Sequence, residues 1–151
     1  MLDRVQWEWA ESDPKSMAAF LASASKDEIP QRAYSTLAQA MARRNPAEAL
    51  EWARQLPPER ALESGNDAFR EWRTGQPDAA VKWLGALPTE DPRRQPFLQN
   101  AFLGSADNAQ TAAQFASMMT AAERAAARRA IENMTMAGER RTRLLNVLGA
   151  P

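Results

Sequence analysis

Residues 45–57, NPAEALEWARQLP, reappear at 76–88 as QPDAAVKWLGALP, and this correspondence decides the fold. Each copy opens on a polar residue and a proline, carries a tryptophan (Trp52, Trp83) seven positions after its first residue, and closes on Leu-Pro. The opening pair starts a helix: the Asn45 side chain can accept from an orphan backbone N–H, and Pro46 needs no donor in the first helical turn. Ala49, Leu50, Ala53 and Leu56 then make one apolar stripe of a 3.6-residue helix. Pro57 ends it, because proline disfavours α geometry in the residue before it.

Working outward, the same frame fits Asp13-Pro14 and Asn108-Ala109, and the four openings are spaced 32, 31 and 32 residues apart. The aromatic position holds Phe20, Trp52, Trp83 and Phe115. Four further on stand Ala24, Leu56, Leu87 and Met119, followed by Ser25, Pro57, Pro88 and Thr120. Four before each opening stand Trp9, Met41, Trp72 and, breaking the pattern, Gly104. The next opening falls at Glu139-Arg140, with Leu144 and Val147 at the positions of Leu50 and Ala53. A second helix precedes each opening, as in Ala33 to Arg44 with Leu37 and Met41 on one face, and Thr120 with Glu123 forms a capping box.

The predicted helices are 2–12, 14–24, 31–44, 46–56, 59–74, 77–87, 96–107, 109–119, 121–137 and 140–148. They pair into about five antiparallel hairpins, and one hairpin of roughly 32 residues cannot bury its own apolar side, so neighbours must cover it. The expectation is an all-α chain: a single repeat domain over 1–151, an α-solenoid of stacked hairpins.

The stretch 68–87, AFREWRTGQPDAAVKWLGAL, resembles the middle of a tetratricopeptide repeat: the end of a first helix, a turn with glycine, then a second helix. Ala80, Val81, Trp83 and Leu84 fill the small and aromatic positions of that second helix, and Ala49, Leu50, Trp52 and Ala53 repeat the match. The chain's period is shorter than the family's, which is about 34 residues. The sequence is also similar to Ala-rich DP…A…W…LP repeats of bacterial proteins, a likeness that implies no activity. The family resemblance implies a groove, lined by the first helix of each hairpin, that holds an extended peptide or a partner helix.

Composition narrows the chemistry. The chain has no cysteine and no histidine, which excludes disulfides, thiolate metal sites and the usual general base. Nineteen basic residues balance nineteen acidic ones, so no overall field draws the chain to nucleic acid or an anionic membrane. Ser12-Asp-Pro-Lys15 and Ser23-Ala-Ser-Lys26 have the Ser-x-x-Lys spacing of penicillin-recognising enzymes but lack the companion motifs. Ser12 and Ser25 read instead as helix caps. Asp27-Glu28 and Glu90-Asp91 read as first-turn charges that complement the helix dipole. No catalytic residue, metal ligand or cofactor is expected. The lack of a signal peptide or membrane span favours a soluble, cytoplasmic chain.

Trp9, Trp52, Trp72 and Trp83 occupy repeated positions and read as core. Trp7 does not. Its position holds Gln39, Arg70 and Phe102 in the later repeats, and four residues on stand Glu11, Arg43 and Thr74, on a face about 200° from the packed stripe. Trp7, Glu11, Gln39, Arg43, Arg70, Thr74 and Phe102 are therefore the candidate partner-binding residues.

The favoured function is a non-catalytic scaffold binding a protein or peptide. One alternative is a nucleic-acid binder using Arg124, Arg128, Arg129, Arg140, Arg141 and Arg143, which overall neutrality and the interspersed Glu residues disfavour. Another is a structural or self-associating segment of a larger repeat protein. A homodimer through the terminal helices would cover Leu144, Leu145, Val147 and Leu148.

Overall fold

The computed structural model describes residues 2–24 and 29–149, and among them it contains ten α-helices and no strand. They are α1 (Leu2–Ser12), α2 (Pro14–Ser23), α3 (Gln31–Arg44), α4 (Pro46–Gln55), α5 (Pro58–Gly75), α6 (Pro77–Ala86), α7 (Arg94–Leu103), α8 (Ala109–Met118), α9 (Ala121–Asn133) and α10 (Gly138–Leu148). None of the described helices is long and apolar enough to cross a membrane. Ser25, Lys26, Asp27 and Glu28 lie outside the described residues.

Three of the helix starts share one cap geometry. Asp13, Asn45 and Asn108 each accept a hydrogen bond from the N–H three residues on, those of Ser16, Glu48 and Thr111, at 3.0, 3.3 and 3.0 Å. Each such cap stabilises its helix by about 1 kcal/mol. Ser12 does not cap α2: its hydroxyl donates to the Trp9 carbonyl and finishes α1. Asp13 takes the cap because it is the residue that directly precedes the first turn of α2, whereas Ser12 is the last residue of α1. At the far ends, the Leu56, Leu87 and Met119 N–H groups donate to the carbonyls of Ala53, Leu84 and Ala116. Met119 leaves the helix without a proline behind it. The α9 capping box fixes the junction instead: the Thr120 hydroxyl accepts from the Glu123 N–H at 3.2 Å, and the Glu123 carboxylate accepts from the Thr120 N–H at 2.7 Å.

The contacts divide the chain within α6, between Ala80 and Val81, into two compact units. In the first, α3 packs against α1, α2, α4 and α5, and α4 also packs against α5. Its core joins Ala10, Met17 and Leu21 of the first hairpin to Ile29, Ala33, Tyr34, Leu37 and Ala40, with Trp9, Met41, Trp52 and Leu56 half-buried against it. In the second, α7 packs against α8 and α9, and α10 packs against α8 and α9, around Phe97, Leu98, Phe102, Phe115, Ile131 and Leu144. Here α6 and α8 approach so closely that a Cβ on Gly85 would sit 3.0 Å from the Met118 sulfur.

Three expectations are corrected. Trp9, Trp52, Trp72 and Trp83 are half-buried rather than fully enclosed, with Trp9 and Trp52 packed on the core of the first unit. The α7 helix runs 94–103 rather than 96–107, because its exit is a tight turn in which Ser105 N–H donates to Phe102 and Asn108 N–H to Ser105. Before α2, α4 and α6 the residue at the junction instead donates four residues back, from Asp13 to Trp9, Asn45 to Met41 and Gln76 to Trp72. Such i→i−3 turns advance farther per residue than an α-helix. One residue drops out: the buried Phe97, Leu98, Ala101 and Phe102 each stand 64 positions after Ala33, Tyr34, Leu37 and Ala38, whereas the caps Asn45 and Asn108 are 63 apart. Finally, α9 stops at Asn133 instead of 137, and Leu144 and Leu148 are buried while Leu145 and Val147 are half-buried. Leu144 and Leu148 lie 32 positions after the buried Ala112 and Ala116, so the last repeat opens at Arg140, not Glu139.

Candidate binding face

In the first unit α3 has α1 on one side and α5 on the other, and these three helices carry six of the seven candidate residues. Trp7 and Glu11 are one turn apart on α1, as are Gln39 and Arg43 on α3 and Arg70 and Thr74 on α5. Trp7 is 53% exposed, Arg43, Arg70 and Thr74 are exposed, and Glu11 and Gln39 are half-buried. Phe102 does not belong with them. It is fully buried, because the tight turn after α7 rotates it onto the packed stripe held by Ala38 in α3.

An ionic line ties the three helices together. The Arg43 Nε donates to Glu11 at 3.0 Å, and its Nη1 lies 3.2 Å from the Glu71 carboxylate. Arg44 donates to the Glu11 carbonyl. Burial works against the Arg43 charge, but hydrogen bonds to Glu11 and Glu71 and their negative charges outweigh it and raise the guanidinium pKa. Such partly exposed pairs are individually weak. Their effect is to fix where the side chains stand. Beside them Arg70 reaches Asp67 at 2.5 Å, and the Thr74 hydroxyl donates to the Arg70 carbonyl at 2.9 Å.

The repeat frame puts Thr74 at the position equivalent to Arg43 and is silent on ion pairs; the α5 residue that Arg43 reaches is Glu71, one turn before Thr74. The signal was present as alternating charge at Glu11, Arg43 and Glu71. Helix spacing alone did not select it, since a long guanidinium reaches a full turn to either side.

The C-terminal arginines are largely engaged within the chain. Arg124 donates to the Ala116 and Leu148 carbonyls at 2.7 and 3.1 Å, Arg141 to Met134 at 2.7 Å, Arg143 to Ala106 at 2.6 Å, and Arg128 to Gly149. Most of these carbonyls lie at or just beyond helix ends, where the helix supplies few donors. Arg140 donates to Asp107 at 2.8 Å.

The hydrogen bond from Arg140, and its charge, hold the exposed Asp107 carboxyl below its ordinary pKa. A depressed carboxyl stabilises the fold above the unfolded value, near 3.9, and loses that contribution as pH falls through the lower folded value. Urea unfolding of wild type and Asp107→Asn should therefore show a small wild-type advantage near neutrality that shrinks on acidification below about pH 4. An advantage that grows with acid would contradict the assignment.

Among the described residues no group of three or more acidic side chains converges in metal-binding geometry. No family model, curated protein or solved structure matches the chain.

Proposed function

We propose that the chain is a non-catalytic scaffold of stacked, tetratricopeptide-like hairpins that holds a protein or peptide against the α1–α3–α5 face. The observation that carries this is the Glu11–Arg43–Glu71 line, which positions three neighbouring helices while Trp7 and Arg70 stay open to solvent. Exposed tryptophan and arginine are the residues that most often dominate binding energy. The stack is supported by contacts between helices two apart in the chain, α1 with α3, α3 with α5, α7 with α9 and α8 with α10, the neighbour pattern of a solenoid. A non-catalytic role is supported by the lack of histidine and cysteine. Protein or peptide is favoured over nucleic acid because five of the six C-terminal arginines, all but the exposed Arg129, are engaged by carbonyls or by Asp107.

Peptides selected from a random display library against the wild-type chain test the reading. Trp7→Ala and Arg70→Ala should each weaken the selected peptides about tenfold, equivalent to roughly 1.4 kcal/mol. Circular dichroism should be unchanged, since both side chains lie at the surface. Affinity that survives both substitutions removes the face. Tight binding of a labelled oligonucleotide at low salt, lost at high salt, would favour the basic end instead.

A further inference from the structure

We infer that the first hairpin, α1 with α2, receives the last hairpin, α9 with α10, of a second copy against its outer apolar side, so that copies join head to tail. Two positions of the repeat show that this side is uncovered. Eight residues before the opening stand Val5, 59% exposed, and its counterparts Leu37 and Ala68, both fully buried. At the aromatic position Phe20 is 49% exposed, while Trp52 is half-buried and Phe115 fully buried. In the second hairpin Leu37 belongs to, and Trp52 packs on, the core that includes Ala10, Met17 and Leu21 of the hairpin before it. A preceding hairpin is what covers these positions. Val5 and Trp9 are one turn apart, and the Trp9 and Phe20 rings lie 5.3 Å apart, so Val5, Trp9 and Phe20 form one apolar patch.

Charge selects the occupant. Residues 2–24 carry a net charge of −2, whereas residues 120–149 carry +3, or +2 together with Asp107, which pairs with Arg140. Two first hairpins would set acidic surfaces together, while a last hairpin brings opposite charge. That hairpin also offers apolar area: Met134 is 41% exposed, and Leu145 and Val147 are half-buried. Such a contact uses different surfaces on its two sides, so each added copy leaves a fresh end for the next unless a ring closes. The inference rests on the stacked-hairpin reading, whose peptide capture is measured separately.

Sedimentation equilibrium of the full chain at rising concentration, at low and at high salt, tests it. At low salt the average mass should climb past that of two copies, and salt should lower it by screening the charges. Phe20→Ser should abolish association through the head, and Arg129→Glu with Leu145→Ser through the tail, with circular dichroism retained. Arg129→Glu alone, at an exposed position, should weaken association in the same direction. Mixed, the head and tail variants should form a one-to-one dimer, since each keeps one intact end. A wild type that stays monomeric throughout, or a tail variant that still dimerises while the head variant does not, would overturn the proposal. Peptide capture by the Trp7 face that persists in either case would show that the scaffold reading stands without it.

Discussion

Replacing Arg94 with methionine is expected to destabilise the chain by about 3–5 kcal/mol, the cost of leaving a buried partner charge uncompensated. Arg94 opens α7, and its side chain is 7% exposed. A cation in a first turn opposes the helix dipole, so its place there needs stronger partners. It has them. Nε donates to Glu123 at 3.0 Å, Nη1 to the Leu87 carbonyl at 2.9 Å, and Nη2 to the Met118 carbonyl at 2.7 Å. Glu123, 10% exposed on its side chain, also accepts from the Thr120 N–H as half of the α9 capping box. One guanidinium thus joins the end of α6, the end of α8 and the start of α9. Losing it strands a carboxylate and several carbonyls away from water.

The double substitution Arg94→Met with Glu123→Leu separates that penalty from the worth of the pair. The double variant should be more stable than Arg94→Met alone, although it also forfeits the capping box, worth about 1 kcal/mol. Urea unfolding followed by circular dichroism reads both. A loss under about 1 kcal/mol in the single variant, or simple additivity in the double, would show that the pair is not coupled as its geometry requires.

Phe102→Ala should cost about 3–5 kcal/mol, since truncating a buried phenylalanine loses its transfer free energy and leaves a cavity. Phe102 is fully buried in the second unit beside Phe97 and Leu98 on the same helix face. The repeat frame had placed it with Trp7 and Arg70 on the contact face. The two assignments predict opposite results: a core residue lowers the urea midpoint, whereas a contact residue leaves the midpoint alone and weakens peptide capture. Unchanged stability would restore Phe102 to the surface and remove the one-residue shift at the α7 exit.

The frame misplaced Phe102 for a definite reason. It counts residues from the caps, and counting is safe only while every connection has the same geometry. It does where Asp13, Asn45 and Gln76 donate four residues back to Trp9, Met41 and Trp72. It fails at Gly104, where the pattern of Trp9, Met41 and Trp72 was already broken. That break was the readable sign of a changed turn, but not of its size. The same holds for α10, where burial of Leu144 and Leu148 places the opening at Arg140.

The placement of Trp7, Glu11, Gln39, Arg43, Arg70 and Thr74 on three packed helices followed from counting, because the connections before α2, α4 and α6 share one geometry. The pairing with Glu71 did not, because an ion pair depends on side-chain reach across a helix interface rather than on position along a helix.

The sequence by itself determined that there are ten helices, the caps Asp13, Asn45 and Thr120 and a spacing near 32, because helix starts depend on groups within four residues of one another. Only the tertiary structure decided the rotation of α7 and α10, the pairing of Arg43 with Glu71 and the burial of Arg94. Those follow from how far each helix has turned when it meets its neighbour and from which carbonyls and carboxylates lie within reach there, quantities that no local pattern contains.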